Sequence, residues 1–304
     1  MKLFVKWYLA ESNRGHKDFQ SFALPTELRY QLSVGANLIT FSFENQIIFE
    51  KIVKSGLTLL LKRKIMERIQ VIDAGNTRLK LAVFENNTLL EVHSFDNQMV
   101  LLKFLNKNQK IVLSSVIDDT FLAKLKEINP AIFQIHSRLV LPFELKYKTP
   151  ETLGIDRLCN VAALNFMKSK QNCLCVDIGT CIKFDFLNEQ NHYLGGSISP
   201  GLRMRFKALA SFTAKLPLLE PEFDIELIGN STNSAILSGV QIGMQEEING
   251  MIERYRHKYG DLMIFITGGD AQYFDFEQKN NIFADENLTL KGIFELYKLN
   301  ATHA

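Results

Sequence analysis

The sequence predicts an α/β protein made of two duplicated lobes, each a mixed five-stranded sheet with flanking helices. The motif Asp73-Ala-Gly75-Asn-Thr77 follows a short apolar run, and Asp177-Ile-Gly179-Thr180 follows another apolar run about a hundred residues later. Each motif then continues into a strand, a polar turn and another strand. A repeat of this length is too long for a solenoid and is typical of two lobes with the same fold.

The elements of both lobes follow from the spacing of apolar residues and from the turn residues between them. In the first lobe we expect strands at 68–72, 79–84, 89–95, 111–116 and 132–136, with helices at 100–105 and 121–128. In the second lobe we expect strands at 173–176 and 262–267, and helices at 158–166, 233–258 and 290–299.

The domain boundaries follow from where these patterns begin. We expect a first lobe at 66–145 and a second lobe at 146–304. Residues 1–65 contain a strand-like piece at 38–49 and an apolar run at 57–61, but no chemical motif. They are an N-terminal extension of unknown role, either an added segment or the product of an upstream start, and the sequence leaves both open.

The composition and net charge of the chain limit the classes of binding partner that we expect. The 304 residues are 46% hydrophobic, which is enough for a substantial core. A net charge of +2 and a pI of 8.2 are too mild for nucleic acid, which usually needs a pI above about 9. No stretch approaches the roughly 18 apolar residues of a membrane span. Four cysteines without C-x-x-C spacing indicate reduced thiols and a cytoplasmic location.

The two glycine motifs have the chemistry of phosphate loops. Glycine lets a ligand approach the backbone closely, and exposed N–H groups with a threonine hydroxyl can donate to phosphate oxygens. The aspartate can hold Mg²⁺, which bridges the phosphates, and Lys80 adds a positive charge. One such motif is weak evidence because Asp-x-Gly is common in turns. Two motifs at matched positions indicate a nucleotide clamped between the lobes.

The duplicated strands and loops resemble the superfamily that contains actin, hexokinase and Hsp70. This resemblance implies ribonuclease H-like (actin-like ATPase) lobes. Three further segments, YKTPETLGIDR (147–157), GGSISPGL (195–202) and IGNSTNSAILSG (228–239), resemble signatures of type III pantothenate kinase. Together with DAGNTRLK and FITGGDA they span the chain from Met66 almost to its end, in the order of that family.

The resemblance implies an enzyme that uses ATP to phosphorylate pantothenate to 4′-phosphopantothenate, the first step of coenzyme A biosynthesis. It implies Mg²⁺ on the ATP phosphates, Asp156 as the catalytic base and Asp177 as the ligand of a monovalent cation, K⁺ or NH₄⁺. The implied ATP-binding residues are Asp73, Ala74, Gly75, Asn76, Thr77, Arg78, Leu79, Lys80 and Thr180. The implied pantothenate-binding residues are Tyr147, Gly154, Ile155, Asp156, Arg157 and Thr232, with Thr232 reaching the site of a partner subunit in a homodimer.

The chemistry of phosphoryl transfer supports the role of Asp156 independently. The reaction needs in-line placement, charge neutralisation and a carboxylate that accepts the proton of the attacking hydroxyl. Arg157 has the geometry to fork onto the carboxylate of pantothenate. The alternative is that Asp156 and Arg157 only cap the helix at 158–166, because acids favour helix N-termini.

Other residues qualify this assignment. Cys181 stands where the family often has alanine, and Lys183 where it often has threonine, both beside the second loop. Gly195 and Gly196 are expected to let a strand pack closely against the substrate segment, and the loop at 268–269 to lie against adenosine.

A catalytically silent relative with a regulatory or accessory role is the alternative function. The segment at 147–157 disfavours a sugar or acetate kinase.

Overall fold

A computed structural model describes residues 30–34, 37–41, 68–75, 78–115, 119–276 and 281–301. The chain divides after Met66 into two units. In the first unit, strands β1 (Tyr30–Val34) and β2 (Asn37–Phe41) pair antiparallel. The strand expected at 38–49 is seen as far as Phe41. The rest of it, and the apolar run at 57–61, lie outside the described residues.

The second unit begins with a mixed five-stranded sheet, as expected for the first lobe. Its strands are β3 (Arg68–Ala74), β4 (Leu79–Glu85), β5 (Thr88–Phe95), β6 (Lys110–Ser115) and β7 (Phe133–Gln134). The strand order is β5-β4-β3-β6-β7, in which β4 runs antiparallel to both neighbours and β6 runs parallel to β3. Helices α1 (Gln98–Phe104) and α2 (Asp119–Ile128) connect the later strands.

The second sheet repeats this arrangement and adds one strand. Its strands are β8 (Glu144–Leu145), β9 (Cys173–Ile178), β10 (Cys181–Leu187), β11 (His192–Pro200), β12 (Met263–Thr267) and β13 (Ile282–Ala284). From β11 to β13 the spatial order is β11-β10-β9-β12-β13, the same as in the first sheet. The extra strand β8 pairs parallel to β11, so this sheet has six strands where five were expected.

The duplication extends to individual residues. Asp73 on β3 lies opposite Lys80 on β4, and at the same place in the other lobe Asp177 on β9 lies opposite Lys183 on β10. Each aspartate is thus the penultimate residue of its strand and lies beside a lysine on the antiparallel neighbour. The prediction of two duplicated α/β lobes is therefore confirmed, since the pairing of these residues between neighbouring strands is the same in both lobes.

Five helices belong to the second half of the chain. They are α3 (Ile155–Met167), α4 (Leu202–Phe212), α5 (Thr232–Leu237), α6 (Gly243–Tyr259) and α7 (Leu288–Ala301). The single helix expected at 233–258 is divided by a π-helical stretch, Ser238–Ile242. No helix in the described ranges has both the length and the apolar character needed to cross a bilayer.

Helix α3 lies between the two sheets and is fixed by both. All its residues from Arg157 to Asn165 are buried, in one core that also contains Val71 of the first sheet, Cys175 of the second sheet and much of α7. At Gly292 of α7, an added Cβ would lie 1.7 Å from the Cys159 carbonyl oxygen of α3. The two helices thus touch backbone to backbone, and the N-terminus of α3 is held at the junction of the lobes.

Candidate active site

Three acidic residues from different elements meet at the junction of the lobes. Asp73 comes from β3, Asp177 from β9 and Asp156 from the first turn of α3. Burial, together with the charges of Asp156 and Asp177, raises the pKa of Asp73 to about 7, against the opposing effect of Lys80 and Lys183. This mutual influence means that the three carboxyl groups form one cluster, which is what a nucleotide site between two lobes requires.

Lys183 lies inside this cluster. Its Nζ is 2.5 Å from Oδ2 of Asp156 and 2.7 Å from Oδ2 of Asp177. Burial lowers the pKa of Lys183, but the two carboxylates outweigh this effect and raise it above its ordinary value. The side chain is only 17% exposed. Lys183 is therefore an ammonium ion that joins an acid of α3 to an acid of the second phosphate loop.

Asp156 keeps capacity for a further hydrogen bond. Its Oδ1 accepts the backbone N–H of Arg157 at 2.9 Å, and its Oδ2 contacts Lys183. The side chain is one-third exposed. An ionised carboxylate has about four lone-pair positions, so two contacts leave room for a substrate hydroxyl. The helix-capping contact and a catalytic role are compatible in this geometry.

Gly154 makes the position of Asp156 possible. An added Cβ at Gly154 would lie 2.5 Å from Oδ1 of Asp156, closer than such contacts occur. Any side chain here would push the carboxylate aside. The glycine of the segment at 147–157 is therefore explained by the space that the acid occupies.

Arg157 is engaged in a buried ion pair. Its Nε donates to Oδ1 of Asp185 at 2.8 Å, and the hydroxyl of Tyr193 donates to the same oxygen at 2.6 Å. Its Cζ lies 5.6 Å from the centre of the Tyr147 ring. The guanidinium expected to fork onto a substrate carboxylate thus already has an acidic partner. These contacts favour a supporting role, in which Arg157 fixes Tyr147 and the start of α3.

The paired glycines of β11 behave as expected from the sequence. At Gly195, where φ is +96°, an added Cβ would lie 3.2 Å from the Tyr147 ring. At Gly196 it would lie 1.6 Å from the carbonyl oxygen of Phe184. Gly195 therefore packs against the segment at 147–157, as expected for the pair, whereas Gly196 packs against the neighbouring strand β10.

A backbone hydrogen bond spans each of the two glycine motifs. In the first loop the N–H of Gly75 donates to the carbonyl of Arg78 at 3.2 Å, and in the second the N–H of Gly179 donates to the carbonyl of Cys181 at 3.1 Å. In the first lobe, Lys80 donates to the carbonyl of Glu286 at 3.0 Å. These hydrogen bonds agree with the turns that the two Asp-x-Gly motifs predict.

A third loop, at 268–270, packs against the second phosphate loop. Gly268 has φ of +98°, and an added Cβ would lie 2.3 Å from the carbonyl oxygen of Ile178. The N–H of Asp270 donates to that same oxygen at 3.0 Å. Burial raises the pKa of Asp270, while the charges of Arg203 and Arg78 oppose the shift. An added Cβ at Gly269 would lie 3.7 Å from Nη1 of Arg78 in the first loop, so the three loops adjoin one another.

Comparison with known proteins agrees with this geometry. The model of the type III pantothenate kinase family matches residues 69–254. A type III pantothenate kinase from Christiangramia forsetii is 44% identical over 239 residues, covering 76% of this chain and 98% of that protein. Another, from Flavobacterium johnsoniae, is 41% identical over 239 residues, covering 76% and 97%.

The chain belongs to the type III pantothenate kinase family.

A solved structure supports the fold of this family member. It is a Campylobacter jejuni protein whose name places it in a Baf family of transcriptional activators. The TM-score is 0.54 at 22% identity, over 77% of this chain and 99% of that chain. At this identity the likeness concerns the fold alone.

The remaining residues predicted for the kinase site have varied positions. Ala74 and Leu79 are buried in the core of the first lobe, so only their backbone can face a ligand. Ile155 is partly buried as the first residue of α3, and Thr180 is exposed at the end of the second loop. Thr232 is exposed as the first residue of α5, and residues 231 and 234 form a capping box at the N-terminus of this helix. Asn76 and Thr77 lie outside the described residues.

Sequence reasoning missed two members of the site. Asp185 holds Arg157, and Asn160 donates to Asp177 at 3.4 Å while it accepts from Thr289 of α7 at 2.8 Å. A signal for Asp185 was present. Two charged residues, at 183 and 185, share one face of an otherwise apolar strand, and buried charges require partners. No local pattern marked Asn160.

The site fits Mg²⁺ carried by ATP. Within the described ranges, no three His, Cys, Asp or Glu side chains form a metal-binding group. Protein sites for Mg²⁺–ATP need only one or two carboxylates, since phosphates and water supply the other ligands. Asp73 is such a carboxylate, and because burial and the charges of Asp156 and Asp177 raise its pKa, a cation beside it would be stabilising.

The ion pair of Arg157 and Asp185 yields a prediction on stability. Asp185→Asn leaves a buried guanidinium without its counter-charge, which should lower the free energy of unfolding by about 3–5 kcal/mol. Glu253→Gln, which removes the partner of Arg256 in an exposed pair, should cost less than about 1 kcal/mol. Urea denaturation followed by circular dichroism measures both. Equal losses in the two variants would contradict the assigned importance of the buried pair.

Proposed function

We propose that this chain transfers the γ-phosphoryl group of ATP to the primary hydroxyl of pantothenate. The product would be 4′-phosphopantothenate, in the first step of coenzyme A biosynthesis. The observation that carries this proposal is the meeting of Asp73 and Asp177, one from each duplicated lobe, with Asp156. Family members are named type III pantothenate kinases, which supports the same substrate here. Use of ATP and the four free thiols favour a cytoplasmic location.

In this proposal the phosphates of ATP lie between the two glycine loops. The segment at 73–80 and Thr180 would supply backbone N–H groups and hydroxyl donors. Asp73 would hold Mg²⁺, directly or through water, and the metal would bridge the phosphates. The loop at 268–270 would border the adenosine, because it packs on the second phosphate loop.

Asp156 would act as the base. The pantothenate hydroxyl would donate a hydrogen bond to the carboxylate and transfer its proton as the oxygen attacks the γ-phosphorus in line, with ADP leaving. Phosphoryl transfer depends mainly on such placement and on neutralising the charge of the phosphates. The free lone pairs of Asp156 and its partial exposure support this role.

The pantothenate would lie beside the start of α3. Tyr147, Gly154 and Ile155 would line its pocket next to Asp156, and Arg157 would hold Tyr147 in place from behind. The monovalent cation expected at Asp177 stays a prediction from the family resemblance. The ammonium of Lys183 lies 2.7 Å from the same carboxylate and competes with K⁺ or NH₄⁺ for it.

A homodimer is also part of the proposal. Exposed apolar side chains concentrate between the end of α4 and the start of α5, at Phe212, Leu218, Phe223, Leu227 and Ile228. Proteins that remain monomeric rarely expose such an apolar surface. Thr232, next to this surface, would then be able to reach the site of the partner subunit.

Size-exclusion chromatography with light scattering tests the dimer. The wild type should have twice the 34.8 kDa mass of the chain. Phe212→Glu with Ile228→Glu, at positions 89% and 84% exposed, should give a monomer, because charges in an apolar interface are costly to bury. Val100→Glu, at an exposed apolar position of α1, should remain dimeric. A monomeric wild type would refute this part of the proposal.

Asp156→Asn tests the kinase and its base. A coupled assay of ADP release with pantothenate should show a turnover lower by about 100-fold or more, since general-base catalysis contributes about 10²–10⁴-fold. Calorimetric ATP binding should persist, because asparagine keeps the shape of the side chain. Glu127→Gln, at an exposed position of α2, is the control and should behave like the wild type. Unchanged turnover in Asp156→Asn would rule out the base assignment.

A further inference from the structure

Lys183 contacts the carboxylate at which the family resemblance implies a monovalent cation. The resemblance assigns a monovalent cation to Asp177 and often places threonine where this chain has Lys183. Here the lysine lies directly opposite Asp177 in the antiparallel pairing of β10 with β9. Its ammonium contacts Asp177 at 2.7 Å and Asp156 at 2.5 Å.

An ammonium group at this place can neutralise the charge of a carboxylate as K⁺ or NH₄⁺ would. Each carries one positive charge and is attracted to carboxylate oxygens. A lysine ammonium adds three directed donors at the end of a tether. The Lys183 Nζ and a potassium ion cannot both contact Oδ2 of Asp177 along the same approach. The residues present therefore do not fit a free monovalent cation at Asp177.

The surroundings hold Lys183 in this position. Its strand is central in the second sheet, and its backbone is paired on both sides, with β9 and β11. Asp177 is fixed by Asn160, and Asp156 by the start of α3. The acids that face Lys183 thus come from two elements that cannot move apart without disrupting the core.

We propose that Lys183 is a built-in cation of the active site, which replaces the monovalent ion, orients Asp156 and makes the enzyme independent of K⁺ and NH₄⁺. The assignment rests on the proposed kinase function, because it concerns the charge balance around the proposed base. Lys183 is a positioning residue in this scheme, since it acts on the reaction through Asp156.

The first test uses the wild-type chain. Pantothenate phosphorylation is measured with Mg²⁺ and the tetramethylammonium salt of ATP, in KCl, NH₄Cl or tetramethylammonium chloride at equal ionic strength. The rates should agree within about twofold. Activation by K⁺ or NH₄⁺ of about tenfold or more would overturn the proposal, since it would show that a free cation is still needed.

The second test uses Lys183→Thr, with Lys103→Thr at an exposed position of α1 as the matched control. Without K⁺ or NH₄⁺, Lys183→Thr should lose activity by about 100-fold, and either ion should restore at least about tenfold. Lys103→Thr should keep wild-type activity in every salt. Full activity of Lys183→Thr without either ion, or a loss that neither ion restores, would overturn the proposal.

Thermal unfolding separates this proposal from the kinase function. K⁺ should raise the unfolding midpoint of Lys183→Thr, relative to tetramethylammonium, and leave that of the wild type unchanged. The same shift in both proteins would contradict a built-in cation. A wild type that phosphorylates pantothenate in no salt would refute the kinase function, and the unfolding midpoints would still decide the role of Lys183.

Discussion

Charge balance between three neighbouring carboxyl groups is the constraint on which the cleft depends. Asp73, Asp156 and Asp177 repel one another when all are ionised, and this repulsion adds to the effect of burial in raising the pKa of Asp73. Lys183 offsets two of these charges by contact. In the first lobe the charge of Lys80 lowers the pKa of Asp73 without offsetting the effect of burial, so a cation beside Asp73 would be stabilising. In the proposed function, Mg²⁺ carried by ATP would supply this cation.

The duplicated fold explains how the acids come together. The strand order and register are the same in both sheets, so each lobe presents an aspartate near the end of its central strand, beside a lysine. Helix α3 packs between the lobes and against α7, and it delivers Asp156 to the same point. At Gly292 the contact between α7 and α3 leaves no room for a side chain, and Gly154 leaves the space that the Asp156 carboxylate occupies. The packing that fixes α3 is therefore the same packing that places Asp156 in the site.

Much of this arrangement could be predicted from the sequence, because it rests on local patterns. The repeated Asp-x-Gly turns predicted the duplication, and the glycines of β11 predicted a close approach. The sixth strand escaped prediction because β8 has only two residues and forms through a partner distant in sequence. The pairing of Arg157 with Asp185 escaped for the same reason, since no local pattern shows which buried acid faces which base. The π-helical break in the helix at 233–258 has no sequence signal that we recognise.

A crystal structure of the full chain with Mg²⁺ and a non-hydrolysable ATP analogue is the most direct test of the central claim. We expect that the phosphates lie between the loops that begin at Asp73 and Asp177, with the metal on the Asp73 side. Phosphates bound elsewhere, or to one loop with the other facing solvent, would contradict a cleft built from two duplicated lobes.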